Sequence, residues 1–168
     1  MREALWEAEK AASIGEVPVG AVIVRDGEIV SRAHNRVEID HDSSAHAEML
    51  AIRQAEEALN AKWLLGCDLY VTLEPCAMCA GAMVLARLRR LYIGTMDPKN
   101  GACGSVFNVI QEERLNHAVE TEVGILQPEC SSILKDFFRE MRAARVRTRR
   151  RAANEIGRAT DNTDGGTI

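Results

Sequence analysis

One histidine and two cysteines, His46, Cys76 and Cys79, are the residues of this sequence best suited to chemistry. Cys76 and Cys79 are three residues apart, so on a helix they lie on one face and can share an ion. One imidazole and two thiolates suit Zn²⁺ better than other common metals. A fourth protein ligand is not evident from the sequence, and a zinc site that keeps a position open for water is typical of catalysis.

Glu48 lies two residues after His46 and is a candidate proton carrier. On an ideal helix, positions two residues apart point about 200° away from each other. Both side chains can therefore face one site only if His46 lies at the irregular entrance of the helix. Two thiolates already neutralise Zn²⁺, so a bound water needs a nearby carboxylate to take its proton. We therefore predict that Glu48 faces the metal site.

Cys76 and Cys79 have two other interpretations. They could form a redox pair, or they could be half of a structural site with four cysteines. The other cysteines are flanked by apolar or small residues and are expected to be buried hydrophobic side chains: Cys67, Cys103 and Cys130. The odd number of cysteines and the absence of a predicted export signal favour metal or redox chemistry and a cytoplasmic location.

Strands and helices alternate along the sequence. Their apolar spacing predicts strands over residues 19–24, 29–35, 68–73, 91–95 and 120–125. It predicts helices over residues 2–14, 45–59, 76–88 and 106–111, and a last helix that starts near residue 128. The pair Asp26-Gly27 is a strong hairpin signal between the first two strands, which makes the sheet mixed.

These elements predict an α/β protein, a three-layer α/β/α sandwich in which helices cover both faces of a mixed five-stranded sheet. We expect one domain over residues 1–151 and a disordered polar tail over residues 152–168. Hydrophobic residues make up 46% of the chain and charged residues 27%, which excludes collagen-like and low-complexity classes. The longest nearly apolar run, residues 76–86, is too short to cross a bilayer, so no membrane association is expected.

Charge is distributed unevenly. Residues 1–138 contain 13 Lys and Arg against 21 Asp and Glu, a net charge of −8. Residues 139–168 contain 8 Arg against 4 acidic residues, a net charge of +4. The arginines between Arg139 and Arg151 supply most of the positive charge. This cluster is either a phosphate-binding surface or a solvated helix end.

The motifs His46-Ala47-Glu48 and Pro75-Cys76-Ala77-Met78-Cys79 match the H-x-E…P-C-x-x-C signature of zinc nucleobase deaminases. The sequence resembles the bacterial tRNA-specific adenosine deaminases of the cytidine/deoxycytidylate deaminase superfamily over about residues 1–145. The segments that carry this resemblance are residues 16–22, 34–36, 45–49, 72–83, 97–105, 116–117 and 136–139.

The resemblance implies a cytidine deaminase-like fold and hydrolytic deamination of adenosine to inosine at the wobble position of tRNA anticodons. It implies one zinc ion per subunit, held by His46, Cys76 and Cys79, and an activated water in the fourth position. Glu48 would take the proton of this water, deliver it to N1 of adenine and protonate the departing ammonia. The expected partners are a tRNA anticodon stem-loop and a second copy of the chain in a homodimer.

The resemblance also implies substrate contacts. It assigns base or RNA contacts to Asn35 by a hydrogen bond, to Val17 and Pro18 as pocket lining, to Ala47 through its backbone N–H, and to Asp97 and Lys99 in a loop. The Arg139–Arg151 cluster gains weight as a surface for the RNA backbone.

Two other functions fit the same candidate ligands. A free nucleobase or nucleoside deaminase that acts on guanine or cytosine would use the same water activation. A structural zinc module that binds RNA without chemistry would not need the carboxylate of Glu48. Loop 97–105, the segment 136–139 and the arginine cluster favour tRNA as the substrate.

Overall fold

The computed structural model describes the backbone of residues 1–161 and the side chains of residues 1–149. The strands are β1 (Gly20–Arg25), β2 (Glu28–His34), β3 (Cys67–Leu73), β4 (Arg90–Thr95) and β5 (Glu120–Val123). The α-helices are α1 (Arg2–Ser13), α2 (Val37–Asp40), α3 (Ala47–Ala58), α4 (Ala77–Leu85) and α5 (Gln127–Asp161). A short 3-10 helix covers Val109–Gln111, where the sequence predicts a longer helix over residues 106–111.

The strands form one mixed five-stranded sheet in the order β2-β1-β3-β4-β5. β1 pairs antiparallel with β2 and β3, whereas β3, β4 and β5 are parallel. Asp26 and Gly27 have φ of 51° and 85°, the positive values that a tight two-residue hairpin requires. The predicted mixed sheet and its hairpin are confirmed.

Helices pack against both faces of the sheet. Successive side chains of a strand point to opposite faces, so neighbouring residues of β2 show which helix covers each face. On β2, the Ser31 hydroxyl donates to the carbonyl of Ala51 in α3 at 2.8 Å. The next residue, Arg32, points the other way and pairs with Glu3 of α1 at 3.1 Å. The sheet therefore lies between α1 and α3, which confirms the predicted three-layer arrangement.

Gly20 allows α1 to lie directly on the sheet. A Cβ at this position would come within 2.0 Å of the Ala4 carbonyl oxygen and 2.6 Å of the Ala8 nitrogen. No side chain fits there without moving the helix. The core on the other face of the sheet contains buried apolar side chains from β3, β4, α3 and α4, among them Leu69, Val71, Leu91, Ile93, Leu50 and Met83.

Residues 1–134 form one compact unit, and α5 continues from Lys135 into a second unit. Within the first unit, the side chain of Cys130 is buried beside Gly94, where a Cβ would meet the Cys130 sulfur at 2.4 Å. α5 extends to Asp161, which corrects the tail expected from residue 152. Residues 152–161 contain no proline, so their backbones can all continue the helix. The rest of that expected tail, residues 162–168, lies outside the described residues.

Within the described part of the chain, no helix is both long enough and apolar enough to span a membrane.

Candidate active site

The predicted metal ligands lie at the entrances of two helices. His46 precedes α3 in an extended conformation, with φ −71° and ψ 149°. Cys76 occupies the same position before α4, with φ −74° and ψ 174°, and Cys79 follows in the first turn. The extended backbone of His46 removes the 200° conflict that an ideal helix would impose. His46 and Glu48 consequently line one cavity.

The three candidate ligand atoms form a nearly equilateral triangle. His46 Nδ1 lies 3.7 Å from Cys76 Sγ and 3.6 Å from Cys79 Sγ. The two sulfur atoms are 3.7 Å apart. A tetrahedral zinc ion with ordinary Zn–S and Zn–N bond lengths requires edges of about 3.6–3.8 Å. The residues therefore fit Zn²⁺, and no fourth His, Cys or carboxylate of the described residues joins the group.

The two thiols share their protons unequally. The hydrogen bond with Cys79 and then the one with His46 lower the pKa of Cys76 to about 3. The same contact with Cys76, followed by burial, raises the pKa of Cys79. Contact with the Cys76 sulfur also raises the pKa of the His46 imidazole. The lowered pKa of Cys76 favours the thiolate form, which is the form that binds zinc.

Glu48 is a buried carboxylate beside this triangle. Its side chain is 3% exposed, and burial raises its pKa. The Glu48 carboxylate interacts with its own backbone N–H and with the Cys79 thiol. A buried carboxylate that faces a cavity next to a metal site has the position and the proton affinity of a general base.

The cavity in front of Glu48 has a volume of about 400 Å³. Its wall includes three residues that the sequence predicts as substrate contacts, Val17, Asn35 and Asp97. The wall also contains residues that the sequence did not name as substrate contacts: Glu16, Val19, Val37, Glu38, Leu73, Glu74 and Asn100. The wall therefore combines apolar side chains with several acidic and amide groups.

Three of the residues expected as substrate contacts are not part of this wall. Pro18 and Ala47 are buried, and Lys99 is exposed on the surface. The expected contact of Ala47 involves only its backbone N–H, which lies in the first turn of α3, where helix N–H groups have no intrahelical acceptor. Pro18 is the central residue of a tight turn closed by a hydrogen bond from the Val19 N–H to the Val17 carbonyl at 2.7 Å, and Val17 and Val19 both line the wall.

Asn35 follows the end of β2 and is held by a second buried acidic residue, Glu16. Asn35 Nδ2 donates to Glu16 Oε2 at 3.0 Å, and the backbone N–H of Ile39 donates to Glu16 Oε1 at 2.8 Å. Glu16 is fully buried. Glu16 begins segment 16–22, which carries the family resemblance, but the sequence assigned it no role. Its contact with Asn35 and its place on the cavity wall show that it belongs to the site.

Glu74 fastens loop 97–105 beside the cysteines. Its carboxylate accepts hydrogen bonds from the backbone N–H groups of Asp97, Cys103 and Ser105 at 2.9–3.0 Å, and from the Ser105 hydroxyl. Gly101 packs against this carboxylate, and a Cβ there would lie 2.1 Å from Glu74 Oε2. Glu74 is therefore a hydrogen-bonded, structural residue beside the site.

Cys67, Cys103 and Cys130 are buried, as the sequence predicts. Burial raises the pKa of each of these thiols, so they remain protonated. None of them joins the triangle formed by His46, Cys76 and Cys79. The structural site with four cysteines, which the sequence left open, is therefore not formed in the described residues.

Known proteins resemble this chain in sequence and in structure. Residues 1–142 match the MafB19-like deaminase family. The tRNA-specific adenosine deaminase of Bacillus subtilis (strain 168) is 51% identical over 150 residues, which cover 89% of this chain and 93% of that protein.

Two solved structures extend the comparison. A structure from a study of A-to-I editing by tRNA:A34 deaminases at the wobble position is 47% identical, with a TM-score of 0.77. The match covers 80% of this chain and 97% of that one. Guanine deaminase from Bacillus subtilis is 30% identical, with a TM-score of 0.56, and the match covers 84% of this chain and 90% of that one. The metal-site geometry, the fold and the sequence identity agree: the chain belongs to the family of tRNA-specific adenosine deaminases, among the MafB19-like deaminases.

Proposed function

We propose that this protein deaminates adenosine to inosine at the wobble position of tRNA anticodons. The observation that supports this most directly is the cavity in which Glu48 lies beside a ligand triangle of zinc dimensions, in a chain 51% identical to a tRNA-specific adenosine deaminase. Water adds to C6 of adenine, the bond between C6 and the exocyclic nitrogen breaks, and ammonia leaves.

His46, Cys76 and Cys79 would hold zinc, which when bound supplies the Lewis acidity that makes water a nucleophile near neutral pH. Glu48 accepts the proton of the attacking water and passes it to N1 of the ring. It then takes the proton of the new hydroxyl group on C6 and gives it to the departing amino group, so that ammonia leaves and inosine keeps a C6 carbonyl and a proton on N1. The two thiolates reduce the net charge of the metal site, so the carboxylate of Glu48 is required as the base.

Substrate contacts follow from the cavity wall. Asn35 hydrogen-bonds the target nucleotide, and Val17 packs against the base. Asp97 faces the same cavity from the loop that Glu74 fastens. Lys99, exposed beside Asp97, is available to the RNA backbone, and Ala47 contributes its backbone N–H. Pro18 fixes the turn between Val17 and Val19, two residues of the wall.

Arginines of α5 provide a surface for phosphate groups. Arg139, Arg142, Arg145, Arg147 and Arg149 lie on this helix, and the cluster continues in sequence to Arg151. Arg139 pairs with Asp136 at 2.8 Å. Replacing these arginines is expected to weaken RNA binding. It should also lower the salt dependence of the affinity, because a protein that makes fewer phosphate contacts releases fewer counterions when it binds.

By resemblance to its family, we also propose that the protein is a cytoplasmic homodimer.

Deamination of a defined RNA tests the proposed function. Zinc-loaded protein is incubated with an anticodon stem-loop that has adenosine at the wobble position, and the nucleosides are analysed by mass spectrometry. Parallel reactions contain free adenine, guanine, cytosine and their nucleosides. Inosine in the stem-loop, with the free compounds unchanged, is the expected result. Turnover of a free base alone would retain the zinc chemistry and contradict the RNA substrate.

A further inference from the structure

Glu16 is not one of the candidate metal ligands, yet it lies at the wall of the same cavity as a carboxylate side chain with no solvent exposure. Both of its carboxylate oxygens have a defined donor. Oε1 accepts from the backbone N–H of Ile39 in α2, and Oε2 accepts from the side-chain amide of Asn35. A carboxylate is buried without loss of stability only where such donors replace water. Glu16 is therefore held in one orientation from two sides.

This orientation decides which end of the Asn35 amide faces Glu16. An ionised carboxylate can only accept hydrogen bonds, so the NH₂ group of Asn35 must point towards it. The opposite orientation would place the Asn35 carbonyl oxygen against Glu16 Oε2, at the 3.0 Å that now separates the donor and the acceptor. Two acceptors at that separation repel each other. The charge of Glu16 thus determines which of its two possible orientations the Asn35 side-chain amide adopts.

The carbonyl oxygen of Asn35 consequently faces the cavity. No described residue donates a hydrogen bond to it, and among the described residues no fully buried side-chain oxygen or nitrogen lacks a partner. The oxygen must therefore be accessible, and Asn35 reaches open space where it lines the cavity. The cavity presents a hydrogen-bond acceptor at this position.

We propose that Glu16 is a positioning residue that sets the polarity of Asn35, so that the cavity accepts a hydrogen bond from a donor group of the target nucleotide. This inference rests on the proposed function, because it concerns the same cavity. An adenosine within RNA carries two such donors, the exocyclic amino group and the ribose 2′-hydroxyl. Both groups can donate a hydrogen bond to the amide oxygen of Asn35.

Glu16→Gln tests the proposal without a change of size. The Ile39 N–H requires an oxygen from residue 16, so the new NH₂ group must point at Asn35. The Asn35 amide then turns over, and the cavity presents a donor in place of an acceptor. We expect kcat/KM on the stem-loop to fall roughly 10- to 100-fold, the usual consequence of an unmet buried hydrogen bond.

The double variant Glu16→Gln/Asn35→Asp separates polarity from packing. Asn35→Asp alone places two carboxylates side by side and should lower kcat/KM. In the double variant the glutamine donates to the new aspartate, whose other oxygen again offers an acceptor to the cavity. We expect the double variant to recover most of the activity that Glu16→Gln loses. A general structural role of Glu16 would not give this recovery.

Glu7→Gln is the matched control. Glu7 is also buried, with 3% exposure, but it is not on the cavity wall. Glu7→Gln should have wild-type kcat/KM, and zinc content should be unchanged in all variants. Wild-type activity in Glu16→Gln, no recovery in the double variant, or an equal loss in Glu7→Gln would each overturn the proposal.

The donor is identified with a stem-loop that has 2′-deoxyadenosine at the target position. If Asn35 accepts from the 2′-hydroxyl, wild-type protein loses activity on this substrate and Glu16→Gln loses nothing further. If the exocyclic amino group is the donor, the loss caused by the missing 2′-hydroxyl and the loss caused by Glu16→Gln are independent and multiply. If the wild-type protein deaminates only a free base, kcat/KM of each variant relative to wild type is measured on that base. The role of Glu16 can then be tested even if the RNA is not a substrate.

Discussion

Glu48 and Glu74 are two glutamates beside the candidate metal ligands, Glu48 two residues after His46 and Glu74 two residues before Cys76, and each is 3% exposed. Glu74 receives four hydrogen bonds, two on each oxygen. Glu48 interacts only with its own backbone N–H and the Cys79 thiol, and it faces the cavity in front of the metal site.

Their partners, and not their burial, distinguish their roles. An ionised carboxylate has about four acceptor sites, so Glu74 has none left for a substrate and serves to hold loop 97–105. Glu48 keeps the capacity to accept a proton, and burial makes that proton more tightly held. In the proposed mechanism, Glu74 fixes the loop on one side of the reactive water and Glu48 carries its proton on the other.

The largest effect is expected when the metal ligand that contacts Glu48 is removed. Cys79→Ala breaks the triangle of Nδ1 and two sulfur atoms, so bound zinc and turnover should both be lost. Elemental analysis of the purified protein measures the metal directly. Cys103→Ala, at a buried cysteine outside the triangle, is the control and should retain zinc. Full zinc occupancy in Cys79→Ala would contradict the ligand assignment.

Glu48→Ala should keep zinc while turnover falls by about 10²- to 10⁴-fold, the usual contribution of a positioned general acid–base group. Single-turnover deamination of the stem-loop and metal analysis are measured on the same preparation. Glu57→Ala, on the exposed side of α3, is the matched control and should behave as wild type. Near-normal turnover without Glu48 would show that another group moves the proton.

The metal site could be predicted because its chemistry is local. His46, Glu48, Cys76 and Cys79 belong to two short motifs, and two helix entrances are enough to place them. The sheet could also be predicted, since β1, β3 and β4 are rich in apolar residues and Asp26-Gly27 marks the hairpin between β1 and β2. The proposals of zinc as the metal and of Glu48 as the proton carrier rest on residue type.

The cavity wall could not be predicted in the same way. Val37 and Glu38 belong to α2, a helix of one turn that leaves no apolar period in the sequence. Asn100 reaches the cavity only because Glu74 fastens its loop. Glu16 acquires its role from a contact with Asn35, 19 residues away. Such roles arise from tertiary contacts, which residue type and spacing do not encode.

A smaller effect, on stability more than on chemistry, is expected for Glu74→Gln. The new amide nitrogen faces the Asp97 N–H, so donors that now share one oxygen lose their acceptor. Unfolding free energy should fall by roughly 1–3 kcal/mol, and amide hydrogen exchange should accelerate in loop 97–105. Ser105→Ala, which removes one of the four bonds, should cost less. A loss of turnover equal to that of Glu48→Ala, with stability unchanged, would erase the distinction between the two glutamates.

The smallest effect concerns Glu7, a third glutamate with 3% exposure, whose partners are Lys10 at 2.8 Å and His34 at 2.8 Å. Burial alone would raise the pKa of Glu7, but the hydrogen bonds with Lys10 and His34 outweigh it and leave the pKa below its ordinary value of 4.5. Ionised Glu7 therefore stabilises the folded state above that pH, and this contribution disappears as the pH falls through the lowered pKa.

Glu7→Gln should accordingly be less stable than wild type at neutral pH, and the difference should shrink on acidification. Urea unfolding of both proteins between about pH 7 and about pH 3 measures it. Deamination at neutral pH should be the same in both, because Glu7 lies outside the cavity wall. A stability difference that stays constant over this pH range would show that Glu7 contributes through packing and not through its charge. It would then differ from Glu48 and Glu74 in having no electrostatic role.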